Sequence, residues 1–145
     1  MNSDIRNSVI NAIKEEKFIV IFRKIARENM IATANALYDA GVRLIEVTFS
    51  QDGSVSDEQT ADNIKMLMEA MGGKMMIGAG TVTKPSQVEL AAKAGALFIL
   101  SPDVCVDVIK KTRELGLVSM PGAVTPTESM SAYRAGADFI KLFPI

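Results

Sequence analysis

The chain has 145 residues, 48% of them hydrophobic and 23% charged, which is the balance of one globular domain and not of a disordered segment. A formal net charge of -1 offers no basic stripe to nucleic acid or to an anionic membrane, and no apolar run is long enough to span a bilayer. The chain has one cysteine and no histidine, which removes Ser-His-Asp and Cys-His chemistry, argues against a zinc site, and leaves acid–base work to Glu, Asp, Lys, Tyr or water.

The opening Met1-Asn2-Ser3-Asp4-Ile5-Arg6 lacks the basic-then-apolar pattern of a signal peptide, and the spacing of Ile5, Val9 and Ile13 predicts a short amphipathic helix. With Cys105 unable to form an internal disulfide, the expected compartment is the cytoplasm. Cys105 itself reads as a small packing residue, because nothing nearby in sequence would activate its thiol. A first strand is expected over Phe18-Ile19-Val20-Ile21-Phe22.

One unit then recurs, a helix ending near a glycine and followed by a short apolar strand. Gly41 precedes Leu44-Ile45-Glu46-Val47, and Gly73 precedes Met75-Met76-Ile77. Gly95 precedes Leu97-Phe98-Ile99-Leu100, Gly116 precedes Leu117-Val118-Ser119-Met120, and Gly136 precedes Phe139-Ile140-Lys141-Leu142. Glycine tolerates the left-handed conformation that ends a helix. Between Gly73, Gly95, Gly116 and Gly136 the steps are 22, 21 and 20 residues, the length of a compact βα unit. Helices are expected at roughly 28–40, 57–71, 85–94, 103–115 and 126–135, with Ser101-Pro102-Asp103 and Thr125-Pro126-Thr127-Glu128 as helix starts. Nearly all-apolar strands alternating with helices predict an α/β fold with a parallel sheet, either doubly wound or a (β/α)8 barrel.

Ionisable residues interrupt two of these strands. Side chains alternate between faces, so Glu46 shares a face with Leu44 and Thr48, and Lys141 shares one with Phe139 and Phe143. An unpaired buried charge is costly, and desolvation favours the neutral amine, the form that attacks carbonyls. Glu46 is the matching acid, near the carboxyl ends of the strands where β/α folds place their chemistry. A structural Glu46–Lys141 ion pair bridging two strands accounts equally well for the pattern. Gly78-Ala79-Gly80-Thr81 places a hydroxyl at a strand end, where the two glycines read more readily as a tight turn than as a ligand cradle. Arg23 is either an anion clamp or an exposed arginine.

Six strings in register carry a resemblance over essentially the whole chain after the first helix. They are Ile19-Val20-Ile21-Phe22-Arg23, Ile45-Glu46-Val47-Thr48, Ile77-Gly78-Ala79-Gly80-Thr81-Val82, Ser101-Pro102, Met120-Pro121-Gly122-Ala123-Val124-Thr125-Pro126-Thr127-Glu128 and Ile140-Lys141-Leu142-Phe143-Pro144. The sequence resembles the 2-keto-3-deoxy-6-phosphogluconate (KDPG) / 4-hydroxy-2-oxoglutarate (KHG) aldolase family. The resemblance implies a (β/α)8 TIM barrel, a homo-oligomer that is usually a trimer, and a small-molecule 2-oxo acid substrate. It implies no metal and no cofactor beyond a covalent lysine–substrate imine. It assigns Lys141 as the Schiff-base lysine, Glu46 as the acid/base acting through water, and Thr81 as the residue holding the pyruvate carboxylate. It places Arg23, Pro102 and Phe143 in the lining of the pocket. The implied reaction is reversible cleavage to pyruvate plus glyceraldehyde 3-phosphate or glyoxylate.

Two departures accompany the resemblance. Many members carry an arginine four residues after the glutamate, and here that residue is Ser50. Eight units also need about 200 residues or more. The expectation is therefore a single partial domain over 1–145 holding about six units, without the loops that grip phosphate. Such a chain is expected to be poorly active on phosphorylated substrate and prone to associate through its open sheet edges. Two competing readings are a sugar-phosphate isomerase or epimerase barrel, against which Lys141 argues, and an inactive fragment that acts by assembling with other chains.

Overall fold

The computed structural model describes residues 3–145, so Met1 and Asn2, which open the segment read as lacking a signal pattern, lie outside the described residues. The helix α1 (Ser3–Glu16) is followed by strictly alternating strands and helices. These are β1 (Val20–Phe22), α2 (Arg27–Asp39), β2 (Leu44–Thr48), α3 (Asp57–Met71), β3 (Met76–Gly80) and α4 (Pro85–Lys93). They continue with β4 (Phe98–Ser101), α5 (Val106–Glu114), β5 (Val118–Ala123), α6 (Pro126–Ala135) and β6 (Lys141–Leu142). All neighbouring strands pair parallel, in the order of the chain from β1 to β6. The sheet curls into a half-barrel, so that Ile21 and Arg23 of the first strand region line the same cleft as Lys141 and Phe143 of the last. No described helix is long and apolar enough to cross a membrane.

Local signals set the element ends. Gly41, Gly73, Gly95, Gly116 and Gly136 all adopt positive φ, between 77° and 101°, as expected of residues that end helices in the left-handed region. Ser56 caps α3 by accepting from the Gln59 N–H at 3.1 Å. Thr125 and Glu128 form a reciprocal capping box at the start of α6, with Pro126 in its first turn.

The alternation of strand side chains divides the interior into two layers. Val20, Phe22, Ile45, Val47, Ile77, Ala79 and Ile99 pack outward against the helices. Leu44, Phe98, Leu100 and Val118 point to the concave side, where Val9 and Ile13 of α1 cover them. The first helix thus closes the amino-terminal mouth of the half-barrel. It is latched there by Asp138, which accepts hydrogen bonds from Arg6 and, at 2.9 Å, from the Ser119 N–H, with Arg113 3.7 Å away.

Several boundaries differ from the sequence reading. Residues 103–105 are not helical: Cys105 is extended (φ -98°, ψ 107°) and α5 begins at Val106, so Ser101 ends β4 and Pro102 opens a loop. β1 is confined to Val20–Phe22, the residues paired with β2, while Phe18 is exposed. β3 runs on through Gly80, which makes Gly78 and Gly80 strand residues and not a turn.

Candidate active site

Along the concave face the side chains change character from one end of the strands to the other. The amino-terminal rows are filled by Leu44, Met76, Phe98 and Val118. Towards the carboxyl ends stand Glu46, Gly78, Gly80, Gly122 and Lys141, and small residues leave space that large ones would fill. The result is a cleft of about 460 Å³ lined by Ile21, Arg23, Thr81, Pro102, Lys141 and Phe143.

The structure brings all six predicted site residues to this one place. Five of them line the cleft, and the sixth, Glu46, lies beside it at 2% exposure. Lys141 is half-buried, paired in register with Gly122, and its Nζ sits 4.4 Å from the centre of the Phe143 ring. An ammonium is attracted to an aromatic face and an uncharged amine much less so, which makes Phe143 a resting place for the protonated side chain. Arg23 is exposed yet engaged: its Nη2 donates to Thr81 Oγ1 at 3.3 Å. Arg23 is thus solvent-accessible while donating to a pocket hydroxyl.

Glu46 is the electrostatic centre of the site. Burial pushes its carboxyl above the ordinary glutamate range, and Lys141 and Arg23 pull the other way without cancelling it. Its Oε2 is fully buried and has no hydrogen-bond partner among the described residues. A buried acceptor without a partner is uncommon and costs about 1–3 kcal/mol, so it marks a place where a water or substrate group belongs.

Thr81 holds a backbone conformation that β-branched residues avoid, with φ of 56°. Its carbonyl accepts from Gln51 Nε2 at 3.2 Å, which ties the strained residue to the β2–α3 loop. That loop walls a second, smaller cavity of about 190 Å³ on the far side of Arg23 and Thr81. There Ser50 donates to Asp52 at 2.6 Å, and Lys24, also at positive φ (56°), pairs with Asp52 at 2.9 Å. Sequence reading singled out Ser50 but not Gln51, Lys24 or Asp52. These three are ordinary loop polar residues in the sequence, and only the fold sets them beside Thr81.

Comparison with known proteins matches this arrangement to a family. A family model described as "KDPG and KHG aldolase" covers residues 9–145. The 2-dehydro-3-deoxy-6-phosphogalactonate aldolase of Escherichia coli (strain K12) is 35% identical over 126 residues, which are 87% of this chain and 58% of that protein. A solved native KDPGal structure is 35% identical with a TM-score of 0.78, covering 88% of this chain and 59% of the other. The KDPG aldolase of Legionella pneumophila, solved with pyruvate captured as a covalent carbinolamine, is 25% identical with a TM-score of 0.76, covering 87% and 58%. The chain thus spans less than two thirds of the length of these relatives. With the model matched over nearly all of its residues, the chain belongs to the KDPG and KHG aldolase family.

Proposed function

We propose that residues 1–145 form a single partial barrel domain that carries the imine-forming half of a pyruvate-producing class I aldolase. The observation that carries the reading is an amine lining the cleft, Lys141, with the buried carboxyl of Glu46 beside it and the Arg23–Thr81 pair in the same lining.

In this reading the carboxylate of a 2-oxo acid lies against Thr81 and Arg23, which offer a hydroxyl and a guanidinium. The deprotonated Nζ of Lys141 adds to the C2 carbonyl, and loss of water from the carbinolamine leaves a protonated imine. That imine accepts the electron pair of the C3–C4 bond as it breaks, giving an enamine. The C4 hydroxyl gives up its proton, through water to Glu46, and departs as an aldehyde. Protonation at C3 and addition of water return pyruvate and the free amine. Burial raises the proton affinity of the Glu46 carboxyl, which favours its taking up a proton from the substrate side of the site. No step calls on an external cofactor. Pro102 and Phe143 supply the apolar walls.

The substrate class we favour is a 2-keto-3-deoxy-6-phosphoaldonate, the gluconate or galactonate epimer, or 4-hydroxy-2-oxoglutarate. The names of the relatives support the first two.

The test is borohydride trapping. The chain is incubated with pyruvate, reduced, digested and mapped by mass spectrometry. A pyruvyl adduct confined to Lys141, and absent from Lys141→Arg, is expected. An adduct on another lysine, or none on a chain shown to be folded, would overturn the reading for this polypeptide.

A further inference from the structure

Three concave-face glycines, Gly78, Gly80 and Gly122, are not at positive φ, so their backbones would accept any residue. What they lack is room. A Cβ on Gly78 would strike the Phe98 ring, and one on Gly122 would strike the carbonyl of Pro102. At Gly80 the obstruction is the Glu46 carboxyl itself: a Cβ would lie 2.7 Å from its Cδ and 2.9 Å from each oxygen.

The near-equal distances mean that the carboxyl lies flat on the bare Cα of Gly80. Strand register shows how it gets there. Glu46 pairs with Gly78 and Thr48 pairs with Gly80, so the Glu46 side chain leans one pair along the sheet towards the carboxyl end. Its Oε2 has no hydrogen-bond partner among the described residues to fix it, and the charged groups acting on it are Lys141 from β6 and Arg23 from the β1 end. Packing against Gly80 is the contact that sets its direction.

We infer that Gly80 is a positioning residue, whose missing side chain is the seat that holds the Glu46 carboxyl beside the cleft lined by Lys141. The inference rests on the proposed aldolase reading for its consequence and on packing geometry for its existence. With alanine at 80, the carboxyl must withdraw by about 1 Å to reach ordinary contact, and a misplacement of that size costs about 100-fold in rate.

The experiment uses Gly80→Ala, Glu46→Asp, their double variant and Gly78→Ala. The readouts are solvent deuterium exchange into the pyruvate methyl group followed by NMR across pH, Lys141 trapping by borohydride, and unfolding in urea. Aspartate draws the carboxyl back by about 1.5 Å, one carbon–carbon bond, and so relieves the clash. Gly80→Ala is expected to slow exchange by about 100-fold, to move its acidic limb towards that of an exposed carboxylate, and to keep the Lys141 adduct. The double variant is expected to lose less than the two single effects combined would take, in exchange rate and in stability alike. Gly78→Ala is expected to lower stability without moving the acidic limb. Strict additivity of the two substitutions in both readouts would overturn the inference, as would a Gly80→Ala profile indistinguishable from that of Gly78→Ala. If the parent chain forms no adduct and exchanges no deuterium, the aldolase reading fails, and the stability coupling alone then decides whether Gly80 seats Glu46.

Discussion

Replacing Glu46 with glutamine should stabilise the protein at high pH and not at low pH, and the profile between reads out the state of the carboxyl. Glu46 is 2% exposed, and burial raises its proton affinity above the ordinary value of 4.5 by more than Lys141 and Arg23 lower it. Between 4.5 and the raised value, the folded protein holds a proton that the unfolded chain has released. Stability therefore falls as pH rises through that window, at up to about 1.4 kcal/mol per pH unit for one proton, and levels off above it. Glutamine cannot ionise, so the variant lacks this slope. The stability difference, variant minus parent, should be constant below pH 4.5, climb through the window and then plateau. Near this chain length each kcal/mol corresponds to about 4 °C in melting temperature. Urea unfolding of both proteins at half-unit pH intervals measures it. A flat difference would show that the Lys141 and Arg23 charges balance burial, and one that falls as pH rises that they outweigh it. Glu46–Lys141 would then be the structural ion pair that the strand pattern also allows.

Two further outcomes follow from the geometry. Asp138→Ala removes the acceptor of Arg6 and of the buried Ser119 N–H, and should cost about 3 kcal/mol, seen as a lower urea midpoint with an unchanged slope; a loss under about 1 kcal/mol would mean that α1 is held by packing alone. Thr81→Gly relieves a φ of 56° and should raise stability by about 1 kcal/mol while weakening pyruvate capture in a titrated borohydride assay; unchanged capture would remove Thr81 from the carboxylate site.

Much of the fold was legible because it rests on local signals. The helix-ending glycines have one physical use, and all five adopt it. Alternation along β2 and β6 gave the neighbours that share a face with Glu46 and with Lys141, and the curl of the sheet makes those faces concave, with Lys141 lining the cleft and Glu46 beside it. What escaped were features set by distant neighbours. Pro102 suggested a helix start, but its carbonyl packs over Gly122, the chain bends at 102–103, and α5 begins only after the extended Cys105. Gly78 and Gly80 suggested a turn, since sequence distinguishes poorly between a glycine needed for its dihedral angles and one needed for its absent side chain. Asp138 looked like any loop aspartate, because its partners Arg6 and Ser119 are remote in sequence.

The latch between Arg6 and Asp138 spans 132 residues of chain, and that distance has a meaning in time. At about 5–20 residues per second, the ribosome makes Asp138 roughly 7–26 s after Arg6. For most of that interval Val118, one of the side chains that Val9 and Ile13 cover, is still unmade, and the apolar stripe of the first helix is incompletely covered. The docking of α1 is thus completed late, after most of the strands that follow it in the chain have been made.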